Sequence, residues 1–214
     1  MNKKQLEIIL SQLNEPLRPK PLLEQYTIPS SLAAEILNLA YLHKDIKGKT
    51  VCDFGCGSAR LAIGAALLGA KTVSAVDIDR AVLKVARKNF KLAKTICESN
   101  GIPITDVKFV CKDIEKFSAH CETVLQNPPF GMQKLHADRM FLKKALECGN
   151  RIYSLHRGGY KKTRQFLTEF IEAHGGRVLQ VKEFKFTLPY TFKFHKKPKV
   201  SYDVDLYIIE STGD

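Results

Sequence analysis

The tetrapeptide Asn127-Pro128-Pro129-Phe130 is the part of the sequence whose residue types and spacing most directly suggest chemistry. The amino group of a nucleobase is a poor nucleophile because its lone pair is delocalised into the ring, so a catalyst must hold both N–H bonds on fixed acceptors. The Asn127 side-chain oxygen and the Pro128 carbonyl can accept those bonds, and Phe130 can stack on the base. Both prolines stiffen the backbone. The tetrapeptide predicts group transfer to an amino nitrogen, with a stiff turn as the alternative.

A second pattern predicts a nucleoside-type ligand. The run Asp53-Phe54-Gly55-Cys56-Gly57-Ser58 follows a short apolar strand, and its glycines let the backbone turn close to a flat ligand. Asp77 ends the next strand, where a carboxylate can accept both ribose hydroxyls. The dinucleotide fingerprint needs a third glycine, and Arg60 stands at that position. The loop therefore favours S-adenosylmethionine, whose cationic groups suit Asp53; the alternative is that Asp53 caps amides of its own loop.

Further polar residues follow the ends of the second and third predicted strands. The Asp113 carboxylate can hydrogen-bond the adenine amino group while Ile114 lies against the ring, and the alternative for Asp113 is an N-cap before Ile114. Asp79 is predicted to cap the second helix of the alternating pattern rather than contact the ligand. The cysteines and histidines do not stand at zinc-ligand spacing, so no metal site is predicted.

The charge of the chain favours a polyanionic partner. It has 34 Lys and Arg against 22 Asp and Glu, a net charge of +12, which attracts nucleic acid. Residues 182–199 interleave cations with aromatic side chains, a combination that suits phosphate contacts and stacking on unpaired bases. The cations are Lys182, Lys185, Lys193, Lys196, Lys197 and Lys199, and the aromatics are Phe184, Phe186, Tyr190, Phe192 and Phe194. The alternative is a strand whose aromatics face the core.

A second basic cluster is predicted near the edge of the cleft, and its members are His156, Arg157, Lys161, Lys162 and Arg164. His156 and His195 are candidates for phosphate contact or, equally, for local hydrogen bonding. The residues expected to contact RNA are therefore His156, Arg157, Lys161, Phe192, Phe194, His195, Lys196 and Lys197.

Strand and helix patterns alternate along the chain, which implies parallel strands, helices on both faces and ligands at the carboxyl ends of the strands. The predicted strands are residues 50–54, 72–76, 107–110, 123–125, 151–155, 178–187 and 204–209. The predicted helices are residues 32–42, 59–68, 80–96, 140–148 and 161–173, the first with Ser30 or Ser31 as N-cap. The last two strands should form a hairpin with a long loop at 188–200. We predict one α/β domain over residues 1–214, with a Rossmann-like, seven-stranded mixed sheet of the class I methyltransferase type.

The chain is long enough to close one core without disulfides or a structural metal. We expect its six cysteines to be reduced thiols in a cytoplasmic protein, with a nuclear location open for a eukaryotic source. The longest apolar run, residues 61–70, is too short to cross a bilayer, and the first residues are amphipathic rather than a secretion signal. No membrane association is predicted.

Most of the chain resembles the methyltransferase-like protein five family, small-subunit rRNA adenine-N6 methyltransferases with archaeal relatives. The segments that carry the resemblance are Leu22-Leu23-Glu24-Gln25-Tyr26, Asp53-Phe54-Gly55-Cys56-Gly57, Val76-Asp77-Ile78-Asp79, Gln126-Asn127-Pro128-Pro129-Phe130-Gly131, Tyr153-Ser154-Leu155-His156 and Phe192-Lys193-Phe194-His195-Lys196-Lys197. The sequence departs from the family in two places. The family's Tyr-x-Thr-x-Pro order is here Tyr26-Thr27-Ile28-Pro29, and a further loop glycine is here Ala59.

The resemblance implies an S-adenosylmethionine-dependent enzyme that methylates N6 of an adenine in RNA, with the tetrapeptide presenting the base. It also implies that residues 1–30 form a segment closing over the cofactor. With the loop residues above, the expected cofactor contacts are Gln25, Tyr26, Thr27, Asp53, Gly55, Gly57, Ser58, Asp77, Ile78, Asp113, Ile114 and Asn127. A heterodimer with a small zinc-binding activator protein, bound through a sheet edge, is implied as well.

Other functions stay open at this point. They are guanine-N2 methylation, protein-glutamine methylation and a non-catalytic RNA-binding or assembly role for the same fold. Phe130 in place of tyrosine, and the lack of an added peptide-binding helical domain, weigh against the glutamine substrate. An intact Asn127 and an intact Asp77 weigh against a non-catalytic protein.

Overall fold

The computed structural model describes residues 1–16, 27–130, 137–189 and 199–213. These residues form a seven-stranded mixed sheet with the strand order β3-β2-β1-β4-β5-β7-β6. The strands are β1 Thr50–Phe54, β2 Thr72–Asp77, β3 Val107–Cys111, β4 Cys121–Gln126, β5 Gly149–Arg157, β6 Gly176–Pro189 and β7 Lys199–Ser211. Pairing is parallel from β3 to β5, whereas β7 runs antiparallel to both β5 and β6. The predicted seven-stranded mixed sheet is confirmed.

Helices cover both faces of the sheet. They are α1 Lys3–Ser11, α2 Ser30–Leu42, α3 Arg60–Leu67, α4 Arg80–Ser99, α5 Ala137–Cys148 and α6 Lys161–Ala173. Buried residues of α1 to α4 pack on one face, where Leu125 and Tyr153 belong to the same apolar cluster. Buried residues of α5 and α6 pack on the other face, against side chains such as Phe54 and Tyr207. The alternation of strands and helices in the sequence therefore predicts this layered architecture correctly.

Helix starts show where local patterns predict capping and where they do not. In α1, Asn2 and Gln5 form a reciprocal capping box, with each side chain bound to the other residue's backbone N–H. The predicted Asp79 cap of α4 is confirmed, since its Oδ1 accepts from the Ala81 N–H at 2.9 Å. The predicted cap of α2 is wrong: Pro29 is the N-cap residue, and no side-chain hydrogen bond caps the helix.

The hairpin at the end of the chain is longer than its apolar pattern predicts. β6 extends to Pro189 and β7 begins at Lys199, so part of the expected loop at 188–200 is strand. The pairing continues to Pro189↔Lys199 through a register irregularity between Val178 and Gln180. Charged residues interrupt the apolar pattern from which a strand is predicted, so the predicted strand ends there. Backbone pairing with the neighbouring strand does not depend on that pattern and continues past them.

Candidate active site

Three strands end side by side at one edge of the sheet and bring the predicted site residues together. Phe54 of β1 pairs with Val76 of β2 and with Gln126 of β4, so the next residue of each strand lies at the same edge. These next residues are Gly55, Asp77 and Asn127. All three line one cleft at the carboxyl end of the parallel strands.

The shape of the glycine loop depends on three residues, at every second position, whose backbones are in the left-handed region. Gly55, Gly57 and Ala59 have φ of 65°, 54° and 66°. The Cys56 N–H donates to the Val76 carbonyl at 3.0 Å, which fastens the loop to β2. A Cβ at Gly55 would lie 3.0 Å from the Phe141 ring, whereas a Cβ at Gly57 would meet no protein atom within 4 Å. Gly55 is thus required for packing, and Gly57 leaves open space beside the backbone.

Asp53 lies beneath this loop, where it both caps a helix and lines the cleft. It is 1% exposed, and its Oδ2 accepts from the Ala62 N–H at 2.9 Å near the start of α3. Burial raises the pKa of Asp53 to about 7, and the nearby Asp77 adds to the rise while the Ala62 N–H opposes it. The capping bond goes to α3 rather than to an amide of the loop itself, and because a carboxylate has more than one acceptor site, Asp53 keeps acceptor capacity toward the cleft.

Asp77 fixes the glycine loop with both oxygens. Its Oδ2 accepts from the Gly57 N–H at 2.9 Å, and its Oδ1 accepts from the Asp79 N–H at 2.8 Å. Burial raises the pKa of Asp77 above its ordinary value. Since each carboxylate oxygen can accept a second bond, these backbone contacts orient Asp77 and still leave acceptor capacity for hydroxyl groups in the cleft.

The side of the cleft predicted to hold the adenine is apolar with a polar edge. Ile114 is buried, Ile78 is 56% exposed, and both line the cleft. Asp113 lines it too, while its Oδ1 accepts from the Glu115 N–H at 3.1 Å and so caps the short 3-10 helix Ile114–Lys116. The capping alternative for Asp113 is realised, and because the same side chain lines the cleft, its contact with adenine stays a prediction.

The tetrapeptide leaves the end of β4 with its members in different environments. Asn127 and Pro129 line the cleft. Pro128 is buried, and Phe130 is half-buried and packs against the cluster beneath α1 to α4. Asn127 therefore faces the same space as Asp53 and Asp77, whereas part of the Phe130 ring contributes to the core.

Several residues of the cleft have no motif in the sequence that would reveal them. Thr27 and Ser58, which were predicted, line it together with unpredicted residues: Pro16, Cys56, Arg60, Leu61, Val82, Lys112, Ala137, Met140 and Phe141. Met140 and Phe141 come from α5, far along the chain from the glycine loop. Two of these residues had a local signal: Cys56 lies within the glycine run, and Arg60 replaces the third glycine of a dinucleotide fingerprint.

A buried hydrogen-bond chain runs behind the tetrapeptide from β4 to β5. The Gln126 Nε2 donates to Ser154 Oγ at 2.8 Å, and Ser154 Oγ lies 2.7 Å from His156 Nε2. His156 is 2% exposed, and burial lowers its pKa to about 3, so the imidazole is neutral. A buried neutral ring does not fit the predicted phosphate contact; of the two readings left open for His156, the structure favours local hydrogen bonding.

The rest of the second basic cluster divides into exposed and paired residues. Arg157, the last residue of β5, and Lys161 and Lys162, the first residues of α6, are exposed. Arg164 instead donates to both oxygens of buried Asp205, at 2.6 and 2.7 Å, and to Glu183 at 2.8 Å. Arg157 and Lys161 are thus accessible to solvent, and their contact with RNA stays a prediction, whereas Arg164 is engaged in a salt-bridge network.

Within residues 182–189, Phe184 packs against the core while Lys182 and Lys185 contact Glu35 and Asp203. The core-facing alternative is therefore correct for Phe184. Other predicted site residues lie outside the described parts of the chain: Gln25, Tyr26, Phe192, Phe194, His195, Lys196 and Lys197.

All six cysteines are free thiols. The described segments contain no group of three or more metal-ligating side chains, and none of their helices is long and apolar enough to cross a membrane.

The cleft fits S-adenosylmethionine. Asp77 offers acceptors for ribose hydroxyls, and Asp53 offers a carboxylate for a cationic amino acid group. Gly57 leaves room where a side chain would otherwise project. Apolar residues such as Ile114 and Val82 supply surfaces for a flat base.

Comparison with known proteins gives the same assignment over the whole length. Residues 34–114 match the family model of ribosomal protein L11 methyltransferase (PrmA). The chain is 40% identical over 215 residues to an uncharacterised protein of Methanocaldococcus jannaschii, covering 100% of this chain and 96% of that protein. It is 33% identical over 210 residues to the rRNA N(6)-adenosine-methyltransferase METTL5 of Danio rerio, covering 96% of this chain and 97% of that protein.

A solved structure shares both fold and sequence. It is a protein of Pyrococcus horikoshii proposed to be an RNA methyltransferase, with 38% identity and a TM-score of 0.87 over 100% of this chain and 99% of that one. The strand order, the S-adenosylmethionine-type cleft and these full-length similarities all support the same family. The chain belongs to the METTL5 family of S-adenosylmethionine-dependent, class I methyltransferases.

Proposed function

We propose that this enzyme transfers a methyl group from S-adenosylmethionine to N6 of an adenine in RNA, and that the RNA is small-subunit rRNA. The observation that carries the proposal is the position of Asn127 in the same cleft as Asp53 and Asp77. The full-length similarity to METTL5, an rRNA N(6)-adenosine methyltransferase, supports the choice of base and of RNA class.

The reaction asks little of the protein beyond positioning. S-adenosylmethionine supplies an electrophilic methyl group on a sulfonium. The Asn127 side-chain oxygen and the Pro128 carbonyl accept the two N–H bonds of the adenine amino group, which turns the nitrogen lone pair toward the methyl carbon. Pro128 and Pro129 restrict the backbone that holds these acceptors. Phe130, which is half-buried and packs against the core, would stack on the base with the part of its ring that stays exposed.

The test is methyl transfer to small-subunit RNA, followed by mass spectrometry of the nucleosides. We expect N6-methyladenosine, and a loss of at least about 100-fold in kcat for Asn127→Ala, because a fixed acceptor for the reacting amine is gone. Asn100→Ala, which changes an asparagine just after α4, is the matched control and should keep full activity. Full activity of Asn127→Ala would refute the mechanism. Methylguanosine in the product would instead establish the guanine-N2 alternative. Methylation of a protein glutamine would establish the glutamine alternative.

For RNA binding we propose two surfaces. Arg157 at the end of β5 and Lys161 at the start of α6 are exposed at the sheet edge that also carries Asn127, which supports a contact with phosphates beside the base. The second is the basic and aromatic sequence at Phe192, Phe194, His195, Lys196 and Lys197. Both agree with a net charge of +12.

We also propose that the enzyme pairs with a small zinc-binding activator protein and acts in the cytoplasm. The family resemblance supports the partner, and strands β3 and β6 form the two edges of the described sheet, where a further strand can be added. Copurification of the two proteins, followed by comparison of methyl transfer with and without the activator, tests the pairing.

A further inference from the structure

Arg60 is the buried cation of the cofactor cleft. It lines the cleft at the start of α3, yet only 6% of its side chain is exposed. Burial lowers its pKa, but an arginine stays protonated at any physiological pH. A buried guanidinium is stable only when acceptors surround it, so each of its N–H groups should have a partner.

Most of these partners come from the two stretches of chain that flank residues 17–26. Nη1 donates to the Ile28 carbonyl at 2.5 Å and lies 3.6 Å from a Glu15 carboxylate oxygen, and Nη2 donates to the Leu13 carbonyl at 3.3 Å. Nε is buried and has no hydrogen-bond partner among the residues that the structure describes. Arg60 therefore holds two backbone segments beside the cleft, while its Nε–H has no acceptor among the described residues.

The location of this donor matches one particular group of the cofactor. The methionine portion of S-adenosylmethionine carries an ammonium and a carboxylate on the same carbon. Asp53, a candidate acceptor for the ammonium, accepts from the Ala62 N–H, two residues beyond Arg60 in the same helical turn. One acid and one guanidinium that line the same cleft can form a receptor for an amino acid zwitterion.

We propose that Arg60 binds the carboxylate of the cofactor through its Nε–H, and that it is a specificity-determining residue for cofactors that carry this group. The inference depends on the proposed use of S-adenosylmethionine but not on the RNA base that is methylated. Position 60 directly follows the glycine loop of the family pattern. In this chain it holds an arginine, whose side chain would make the contact with the carboxylate.

A purely structural role for Arg60 makes a different prediction, and the chain supplies a control for it. Asn89 is fully buried and fastens the same N-terminal stretch to the glycine loop: its Oδ1 accepts from the Asn14 N–H, and its Nδ2 donates to the Asn14 and Ser58 carbonyls. It does not line the cleft. Loss of Asn89 should weaken every nucleoside ligand alike, whereas loss of a carboxylate receptor should weaken only ligands with a carboxylate.

The experiment is titration calorimetry with S-adenosylmethionine and with decarboxylated S-adenosylmethionine, which differ only in the carboxylate. The wild-type protein should bind the first at least about tenfold more tightly. Arg60→Met also removes the bonds to the Leu13 and Ile28 carbonyls, so it should raise both Kd values, but that of S-adenosylmethionine by a further factor of about 10 to 100. Asn89→Ala should raise both Kd values by the same factor. Arg60→Lys keeps the positive charge and should give an intermediate loss of affinity for S-adenosylmethionine. It serves as the test variant if Arg60→Met does not fold.

Equal affinity of the wild-type protein for the two compounds would overturn the proposal, as would an equal loss for both in the Arg60 variants. Neither result would touch adenine methylation. Conversely, methyl transfer to another base would leave the assignment of Arg60 intact, and failure of either compound to bind would contradict the use of this cofactor itself.

Discussion

The two halves of the sheet's carboxyl edge use their buried polar side chains differently. On the side of β1 and β2, Asp53 accepts from a backbone N–H of α3, Asp77 accepts from one of the glycine loop, and both line the cleft as well. On the side of β5 and β7, polar side chains satisfy one another, as Ser154 does with His156 along β5 and as Arg164 of α6 does with Asp205 of β7. The first half keeps acceptors available to a ligand, and the second half uses its polar groups to hold the fold together.

The comparison is broken most severely by removing Arg164. Arg164→Met leaves the Asp205 carboxylate, 2% exposed, without its cation and should destabilise the protein by about 3 kcal/mol. For a chain of this size that lowers the Tm by about 10 °C. Because Arg164 does not line the cleft, the Kd for S-adenosylmethionine measured below the transition should not change.

Two controls separate the buried pair from surface charge. Arg177→Met removes an arginine that is 66% exposed and pairs with Glu210, so it should cost less than about 1 kcal/mol. Adding Asp205→Asn to Arg164→Met removes the uncompensated charge and should restore part of the lost stability. Equal Tm values for the Arg164 and Arg177 variants would show that Asp205 does not depend on its partner.

The same contrast explains what the sequence could predict. Asp53, Gly55 and Asp77 each adjoin the end of an apolar strand, so their roles follow from short-range spacing together with the rule that strand ends meet. His156 lies in a stretch with an equally clear pattern, yet its environment is set by Ser154, by Gln126 on another strand and by burial against Tyr207. Phe141 likewise reaches Gly55 only through packing of α5, and no local pattern encodes such a contact.

A titration should distinguish the two halves. The pKa of Asp53, raised to about 7 by burial, should fall when a cationic ligand stabilises its carboxylate, so binding releases a proton and weakens as pH falls below 7. Between about pH 7 and pH 5.5 the Kd for S-adenosylmethionine should rise by roughly tenfold. His156, with a pKa of about 3, contributes nothing in this range.

Asp53→Asn is the control for this titration, since an amide keeps an acceptor for the Ala62 N–H but cannot ionise. Its Kd should be higher at pH 7 and nearly constant down to pH 5.5. A wild-type Kd that stays constant over the same range would mean that Asp53 does not respond to the charge of the ligand.

The smallest effect sharpens the comparison at the backbone of the cofactor loop, where the family's glycine is replaced by Ala59. Ala59 has φ of 66°, a conformation that costs an L-residue about 1 kcal/mol or more, and its methyl group is fully buried. Ala59→Gly relieves the strain but loses about 0.8 kcal/mol of methyl burial and adds entropy to the unfolded chain. The net change in the free energy of unfolding should stay within about 1 kcal/mol.

Ala65→Gly, at an equally buried position inside α3, relieves no strain and should cost about 2 kcal/mol in urea unfolding. Equal losses for the two variants would mean that Ala59 carries no strain, and that the loop reaches its shape without the left-handed preference that a glycine would bring.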